Sequence, residues 1–320
     1  MRFAIAGAGA VGAYLGARLS RAGMEVVLLA RGATLGAIRV RGVRVMEAAG
    51  EFVAQPPAES DPAAVGPVDV LFLAVKAHAL PALAPTLAPL LGSETAVVSL
   101  QNGIPWWYFA DTRLERVDPG GAISAALART RVVGGIVYFA TELEAPGVVR
   151  HIEGSRISLG EPDGGRSERC RRISQALVAA GLRCPVTAHI RNEIWVKLLG
   201  NMTLNPLSAL TGATMAAILR DPDTRRLVLD MMAEGETLAE KLGIEILIPI
   251  EQRLAGAERV GEHKTSMLQD LEAGRPLELE AIVGAALEMA ARAGVPMPRT
   301  EAVYACTKLL AARRAPGGAR

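Results

Sequence analysis

The sequence predicts an α/β chain: an N-terminal doubly wound parallel sheet with its helices, followed by an all-α C-terminal domain. Three observations carry that prediction. An apolar run at 3–7 enters a glycine-rich turn, continues at helical spacing and meets a second apolar run at 24–31, the order strand, turn, helix, strand. Short apolar runs then keep alternating with helical spacers to about residue 188. From about Arg191 the strand signal fades, and amphipathic stretches with few glycines follow at 191–210, 221–243, 248–272, 277–294 and 299–313. The expected domains are therefore 1–188 and 189–320.

Composition narrows what such a chain does. Its 320 residues fit two domains, and 50% hydrophobic residues give each a core. Lys plus Arg is 35 against 33 Asp plus Glu, a formal net charge of +2, and there is no dense basic run, so a nucleic-acid partner is not expected. Cys170, Cys184 and Cys306 are odd in number and lack metal-ligand spacing; free thiols in a reducing cytoplasm are the simplest reading. The first twenty residues also mimic a secretory signal, which would make the glycine pattern a coincidence. No apolar run reaches eighteen residues, so no membrane span is expected.

The glycine turn is Gly7-Ala8-Gly9-Ala10-Val11-Gly12, G-x-G-x-x-G. In the context of strand, turn and helix, this is the fingerprint of a Rossmann-type dinucleotide site. Gly7 allows the tight turn, Gly9 lets the backbone approach a pyrophosphate, and Gly12 lets helix pack on strand. The helix N-terminus supplies free N–H groups for the phosphates, and Gly23 is its expected C-terminal stop. The second strand ends Leu29-Ala30-Arg31, without the acid that would accept from a ribose 2′-hydroxyl. Arg31 suits a 2′-phosphate instead, so the expected cofactor is NADPH; a solvated surface arginine is the plainer alternative.

Further strands are expected at 68–76, ending in Lys76, and at 95–103, ending in Asn102-Gly103, with a proline-spaced helical connection between. Ligands of open α/β sheets bind outside the carboxyl ends of strands, which singles out Lys76 and Asn102. Asn102 could equally be an Asn-Gly turn residue. Residues 132–160 alternate and turn at Pro146-Gly147, an antiparallel hairpin; a helix follows over 166–181, and 184–189 is a last strand or a linker.

In the helical half, KLLGNMTLNP at 197–206 sets Lys197, Asn201 and Asn205 at steps of four, sharing one face, with Leu198, Leu199, Met202 and Leu204 on the packed sides. An ammonium and two amides in one buried row are unfavourable unless they face a cleft. Pro206 should kink or end the helix there. Ser266 lies at one helix start and Glu278 in the first turn of another, where capping is the ordinary role for such residues.

Together these residues resemble the ketopantoate reductase family along nearly the whole chain: GAGAVG with Arg31, Val75-Lys76, Gln101-Asn102-Gly103, Pro146-Gly147-Val148-Val149-Arg150-His151, the W-x-K-L-x-x-N-x-x-x-N-P pattern at 195–206, and SMLQD at 266–270 followed by Glu278. The resemblance implies NADPH-dependent reduction of a 2-oxo acid at a cleft between a Rossmann domain and a helical domain. It implies Lys197 as general acid to the forming alkoxide, and Asn201 and Asn205 as ligands of the substrate hydroxyl and oxo groups. Ser266 would hold the carboxylate, and Asn102 would lie between substrate and nicotinamide. Lys76, Ala140 and Glu278 would contact the cofactor, with the glycine turn and Arg31.

One departure bears on the substrate. Family members that make pantoate carry another asparagine about ten residues beyond the Asn-Pro, where this chain has Met215. A lost amide changes which hydroxyl a site recognises, so a reductase of a different 2-oxo acid stands beside ketopantoate reductase. A non-catalytic NADP(H) sensor should have lost Lys197 or its amides, and all three are present. Trp106-Trp107-Tyr108 stands out in a chain with 4% aromatics, as a lid, an interface patch of a homodimer or a pocket wall. The PGGAR end is an expected frayed tail.

Overall fold

A computed structural model describes residues 1–246, 249, 250, 252, 254 and 264–314. The part of the 248–272 stretch before Lys264, apart from those few positions, and the PGGAR tail lie outside the described residues. Contacts divide the chain into two compact units: Met1–Gln101, Trp106–Asp111 and Gly120–Ile190 form the first, and Asn102–Pro105, Thr112–Pro119 and Arg191–Arg320 the second.

The first unit is built on one nine-stranded sheet. Its strands are β1 (Arg2–Ala6), β2 (Glu25–Leu29), β3 (Val43–Glu47), β4 (Gly50–Ala54), β5 (Ala58–Glu59), β6 (Val68–Leu73), β7 (Leu91–Ser99), β8 (Val132–Ala145) and β9 (Val148–Gly160), in the order β4-β3-β9-β8-β7-β6-β1-β2-β5. β5, β2, β1, β6, β7 and β8 pair in parallel, and the burial of Phe3–Ala6, Val26–Leu29, Val70–Leu73 and Ala96–Ser99 explains why these central segments are near-continuous apolar runs. The 146–147 turn joins β8 and β9 as the expected antiparallel hairpin, with Gly147 at φ +77°. Within 184–189 the expected strand is reduced to an isolated bridge, Leu159 to Val186, with a second from Arg156 to Arg183 just before it, beside β9.

Helix α1 (Ala10–Arg21) follows β1, and α2 (Gly32–Arg41) follows β2. The short helices α3 (Pro62–Val65), α4 (Leu80–Leu83) and α5 (Ala122–Ala126) lie in the connections, and α6 (Glu168–Ala179) follows the hairpin. Gly23, at φ +77°, ends α1 by donating to the Ser20 carbonyl while Met24 donates to Leu19. Trp106 and Trp107 are buried in this unit, 7% and 2% exposed, so neither forms an exposed patch. The Trp107 indole donates to Ser99 Oγ at 2.7 Å, and its ring fills the space that a Cβ on Gly134 would take.

The second unit is helical. It contains α7 (Ile190–Thr211, whose first residue belongs to the sheet unit), α8 (Met215–Arg220), α9 (Pro222–Lys241), α10 (Ser266–Glu272), a π-helical turn over Glu280–Gly284, α11 (Ala285–Ala293) and α12 (Pro298–Arg314). Leu204, Leu207, Ile218, Leu219, Val228, Met231 and Met232 form an apolar cluster. Gly235 of α9 allows close packing on α7, since a Cβ there would collide with Met202 and lie 2.5 Å from Leu199 Cδ2. The Glu234 carboxylate caps α12, accepting from the Arg299 and Thr300 amides at 2.9 and 3.0 Å.

Pro206 does not end α7, which runs on to Thr211. The proline removes one bond, to the Met202 carbonyl, a loss of about 3 kcal/mol in a bare helix. Leu204, Leu207 and Ala209 are each buried around it, and burial of that order, about 1.5–3 kcal/mol per large side chain, keeps the helix whole.

Candidate active site

In the sheet unit, the strand order reverses at β1, whose neighbours are β2 and β6. That is a topological switch point, where the loops leaving β1 and β6 diverge and make room for a ligand. The β1 loop is the glycine turn. Gly7 holds φ +107°, and a Cβ there would lie 2.7 Å from Val75 Cγ1 and 2.9 Å from the Val75 nitrogen, in the β6 loop. A Cβ on Gly12 would collide with the Gly7 carbonyl oxygen. A Cβ on Gly9 would meet nothing within 4 Å. Two glycines are thus required by packing, while the third keeps space above the turn clear.

That clear space lies at the start of α1, where Gly9 is the residue before the helix and its carbonyl accepts from Ala13 at 2.8 Å. The N–H groups of Ala10, Val11 and Gly12 precede the first carbonyl-bonded turn and point out of the helix end. A phosphate-bearing group fits this cradle, with Ala8, Ala10 and Val11 contributing backbone alone. Arg31 is the exposed residue preceding α2, two past the end of β2. Lys76 follows β6 and is half-buried. Gln101, given no role from sequence, donates its amide to the Leu73 and Val75 carbonyls at 2.9 and 3.1 Å, fixing the β6 loop. Its place in the Gln-Asn-Gly motif was the available signal. Ala140 sits at a register shift of β8, opposite Glu153.

The helical unit holds the other group. Lys197, Asn201 and Asn205 lie on α7 at the expected steps of four; Lys197 and Asn201 are half-buried and Asn205 is 5% exposed. Trp195, Leu198, Leu199 and Met202 beside them are buried at 1% exposure or less. Thr203 bonds back to the Leu199 carbonyl at 2.9 Å, so its hydroxyl is spent on the helix.

Asn102 belongs to this unit, although β7 does not. Its amide donates to Glu278 Oε2 at 3.4 Å, joining two residues 176 positions apart. Glu278 is 5% exposed and lies just before the helical turn, rather than within it; its carbonyl accepts from Ile282 at 3.2 Å. Capping of α10 falls to Thr265, whose hydroxyl accepts from Leu268 at 3.2 Å, which leaves Ser266 as an exposed first helical residue. Met215 packs against the Leu204–Ile218 cluster at the start of α8, where Thr214 is the cap.

The electrostatics elsewhere are structural. Burial alone would raise the Glu161 carboxyl, but hydrogen bonds from Arg169 and Ser167 hold it below the usual carboxylate range. Burial pushes the Cys170 thiol up to about 11 and the Cys184 thiol up to about 12, which makes both inert. Among the described residues there is no His, Cys, Asp and Glu grouping able to hold a metal, and no helix long and apolar enough to cross a membrane.

Comparison with known proteins agrees with these features. Residues 3–164 match the family model for ketopantoate reductase PanE/ApbA, and residues 189–311 match that for its C-terminal part. The 2-dehydropantoate 2-reductase of Mesorhizobium japonicum is 48% identical over 322 aligned residues, spanning 98% of this chain and 99% of its own. The crystal structure of a candidate ketopantoate reductase from Ralstonia solanacearum superposes with a TM-score of 0.94 at 42% identity, covering 98% of each chain. D-mandelate dehydrogenase, solved with NADH and anilino(oxo)acetate, superposes with a TM-score of 0.87 at 23% identity, covering 98% of this chain and 99% of its own, a likeness of fold. With a glycine cradle at the switch point, a lysine–asparagine–asparagine face on α7 and family models matched along both halves, the chain belongs to the ketopantoate reductase family of oxidoreductases.

Proposed function

We propose that this protein reduces 2-dehydropantoate to pantoate with NADPH, as a cytoplasmic step of pantothenate biosynthesis. The observation that carries the reading is the α7 face bearing Lys197, Asn201 and Asn205. A bound nicotinamide supplies hydride to the carbonyl carbon. The chain's own part is to meet the negative charge that builds on the oxygen: the Lys197 ammonium stabilises it and delivers the proton that completes the hydroxyl. Asn201 and Asn205 fix the oxo and hydroxyl groups by amide hydrogen bonds, and the exposed Ser266 hydroxyl binds the carboxylate. Asn102, held against Glu278, sets the face of the substrate that meets the nicotinamide.

Gly7, Ala8, Gly9, Ala10, Val11 and Gly12 cradle the pyrophosphate, with Lys76, Ala140 and Glu278 as further cofactor contacts. The NADPH preference rests on Arg31, exposed beyond β2, where the strand end Leu29-Ala30-Arg31 carries no acid of its own to accept from a 2′-hydroxyl. A second reading, reduction of another and more apolar 2-oxo acid, is favoured by Met215, an apolar residue where an amide would recognise a hydroxyl.

The test is oxidation of NADPH, followed by nicotinamide absorbance, with 2-dehydropantoate and a panel of 2-oxo acids. Lys197→Ala is expected to lower kcat by about 10²–10⁴-fold. Turnover confined to a different 2-oxo acid selects the second reading, and turnover undiminished in the variant removes Lys197 from the chemistry.

A further inference from the structure

The π-helical turn at Glu280–Gly284 has no role in the reaction as described, yet it lies two residues after Glu278. In a regular α-helix the Ala285 amide would bond to the Ala281 carbonyl, four residues back. Here it bonds to the Glu280 carbonyl, five back, and the Ala281 carbonyl accepts instead from the Ile104 amide at 2.8 Å. Gly103 makes that approach feasible. It holds φ +86°, and a Cβ there would collide with the Ala281 oxygen and lie 2.5 Å from its carbonyl carbon. The loop that carries Asn102 is therefore seated by its backbone on a carbonyl that the wider turn sets free.

The wider turn also sets the direction of Glu278. One inserted residue rotates whatever precedes it by about 100° relative to the helix that follows. Glu278 ends up buried, with Oε2 3.4 Å from the Asn102 amide. Relaxed to regular α-helix, the same segment would swing Glu278 off Asn102 and reclaim the carbonyl that seats Ile104.

Something must hold the turn open, because π-turns are the less favourable geometry. Its first residue, Glu280, is gripped from two sides. Arg116 donates to Glu280 Oε2 at 3.0 Å and to the Tyr304 hydroxyl at 2.8 Å, and that hydroxyl donates to Glu280 Oε1 at 2.8 Å. The Glu115 and Arg116 amides donate in turn to the Glu288 carboxylate at 3.0 and 2.9 Å, anchoring Arg116 to α11. Gly284 leaves room for the Glu280 carboxylate, which a Cβ there would meet at 2.5 Å. Burial first, and then the Glu280 hydrogen bond, push the Tyr304 phenol up to about 12, so the donor stays protonated through the working pH range.

We infer that the π-turn, locked by Arg116, Glu280 and Tyr304 and seated on Gly103 and Ile104, is the positioning device that aligns Asn102 with Glu278. This deepens the proposed function and rests on it for its kinetic consequence, though not for the lock itself.

The test uses Glu280→Gln and Tyr304→Phe, which keep side-chain volume, each alone and combined with Glu278→Gln. Hydrogen exchange at the Ile104 amide reads the seat without any substrate; it is expected to rise about tenfold or more in both lock variants. With NADPH and the best 2-oxo acid, kcat should fall about tenfold while both KM values stay within about twofold. In the Glu278→Gln background the lock variants should add almost nothing, because residues acting through one partner are not additive. Unchanged Ile104 exchange overturns the lock, whatever the enzyme reduces. Additive losses of kcat overturn its action through Glu278. Faster exchange in a protein that reduces no 2-oxo acid keeps the lock and overturns the functional reading instead.

Discussion

The two groups of candidate residues, one in the sheet unit and one in the helical unit, are built on opposite principles. The glycine cradle occupies residues 7–12, and its geometry follows from what cannot be there: a Cβ at Gly7 or Gly12 runs into neighbouring backbone. The proposed catalytic face is made of what is there, and only Lys197, Asn201 and Asn205 are neighbours in sequence. Asn102 and Glu278 come together across 176 residues, and Ser266 starts a separate helix. A cradle of backbone is set mostly within one turn, with Val75 of the β6 loop closing on Gly7 from a distant part of the sequence. A face of side chains depends on every element that aims one.

The largest effect that sharpens this contrast is within the cradle. Gly12→Ala places a methyl on the Gly7 carbonyl and should destabilise the fold by about 1–3 kcal/mol or more, with nucleotide binding lost; Gly9→Ala should leave stability within about 0.5 kcal/mol and weaken only the nucleotide. Thermal unfolding and nucleotide titration of the two variants check this, and equal destabilisation would dissolve the division between packing glycine and cradle glycine. A smaller effect is expected at Arg31. Arg31→Gln should lower the preference for NADPH over NADH by about tenfold, measured as a ratio of kcat/KM values, with no change in unfolding temperature.

The smallest concerns pH and lies outside both site groups. The Glu161 carboxyl is held below its ordinary value in the folded state, so its contribution is present above the unfolded carboxylate range and lost as pH falls through the folded value. Glu161→Gln should therefore flatten the acid limb of a stability–pH curve below about pH 4 and leave activity at neutral pH unchanged. A parallel shift of the whole curve would mean the carboxylate acts by packing alone.

How much was legible in advance follows the same division. The β1–α1–β2 unit, the 146–147 hairpin and the α7 polar row were visible because each depends on spacing within a few residues. Of the kink or end expected at Pro206, the end does not occur, because a local rule met the burial of Leu204 and Leu207, which no local rule contains. Trp106 and Trp107 were open to reading as a lid, an interface patch or a pocket wall because nothing in their neighbourhood announces that Gly134 leaves a space for the Trp107 indole. Thr265 rather than Ser266 caps α10, a difference of one residue that capping preferences do not resolve.

The sequence by itself determined the doubly wound sheet, the glycine turn at 7–12 and the row of one ammonium and two amides. These are set by periodicity and by glycine's missing Cβ, which act over a single turn or strand. Only the tertiary structure decided that Asn102 belongs with the helical unit, that it meets Glu278, and that a π-turn held by Arg116 and Tyr304 seats the loop between them. Those contacts join segments more than a hundred and fifty residues apart, and their geometry exists only once the intervening chain has packed.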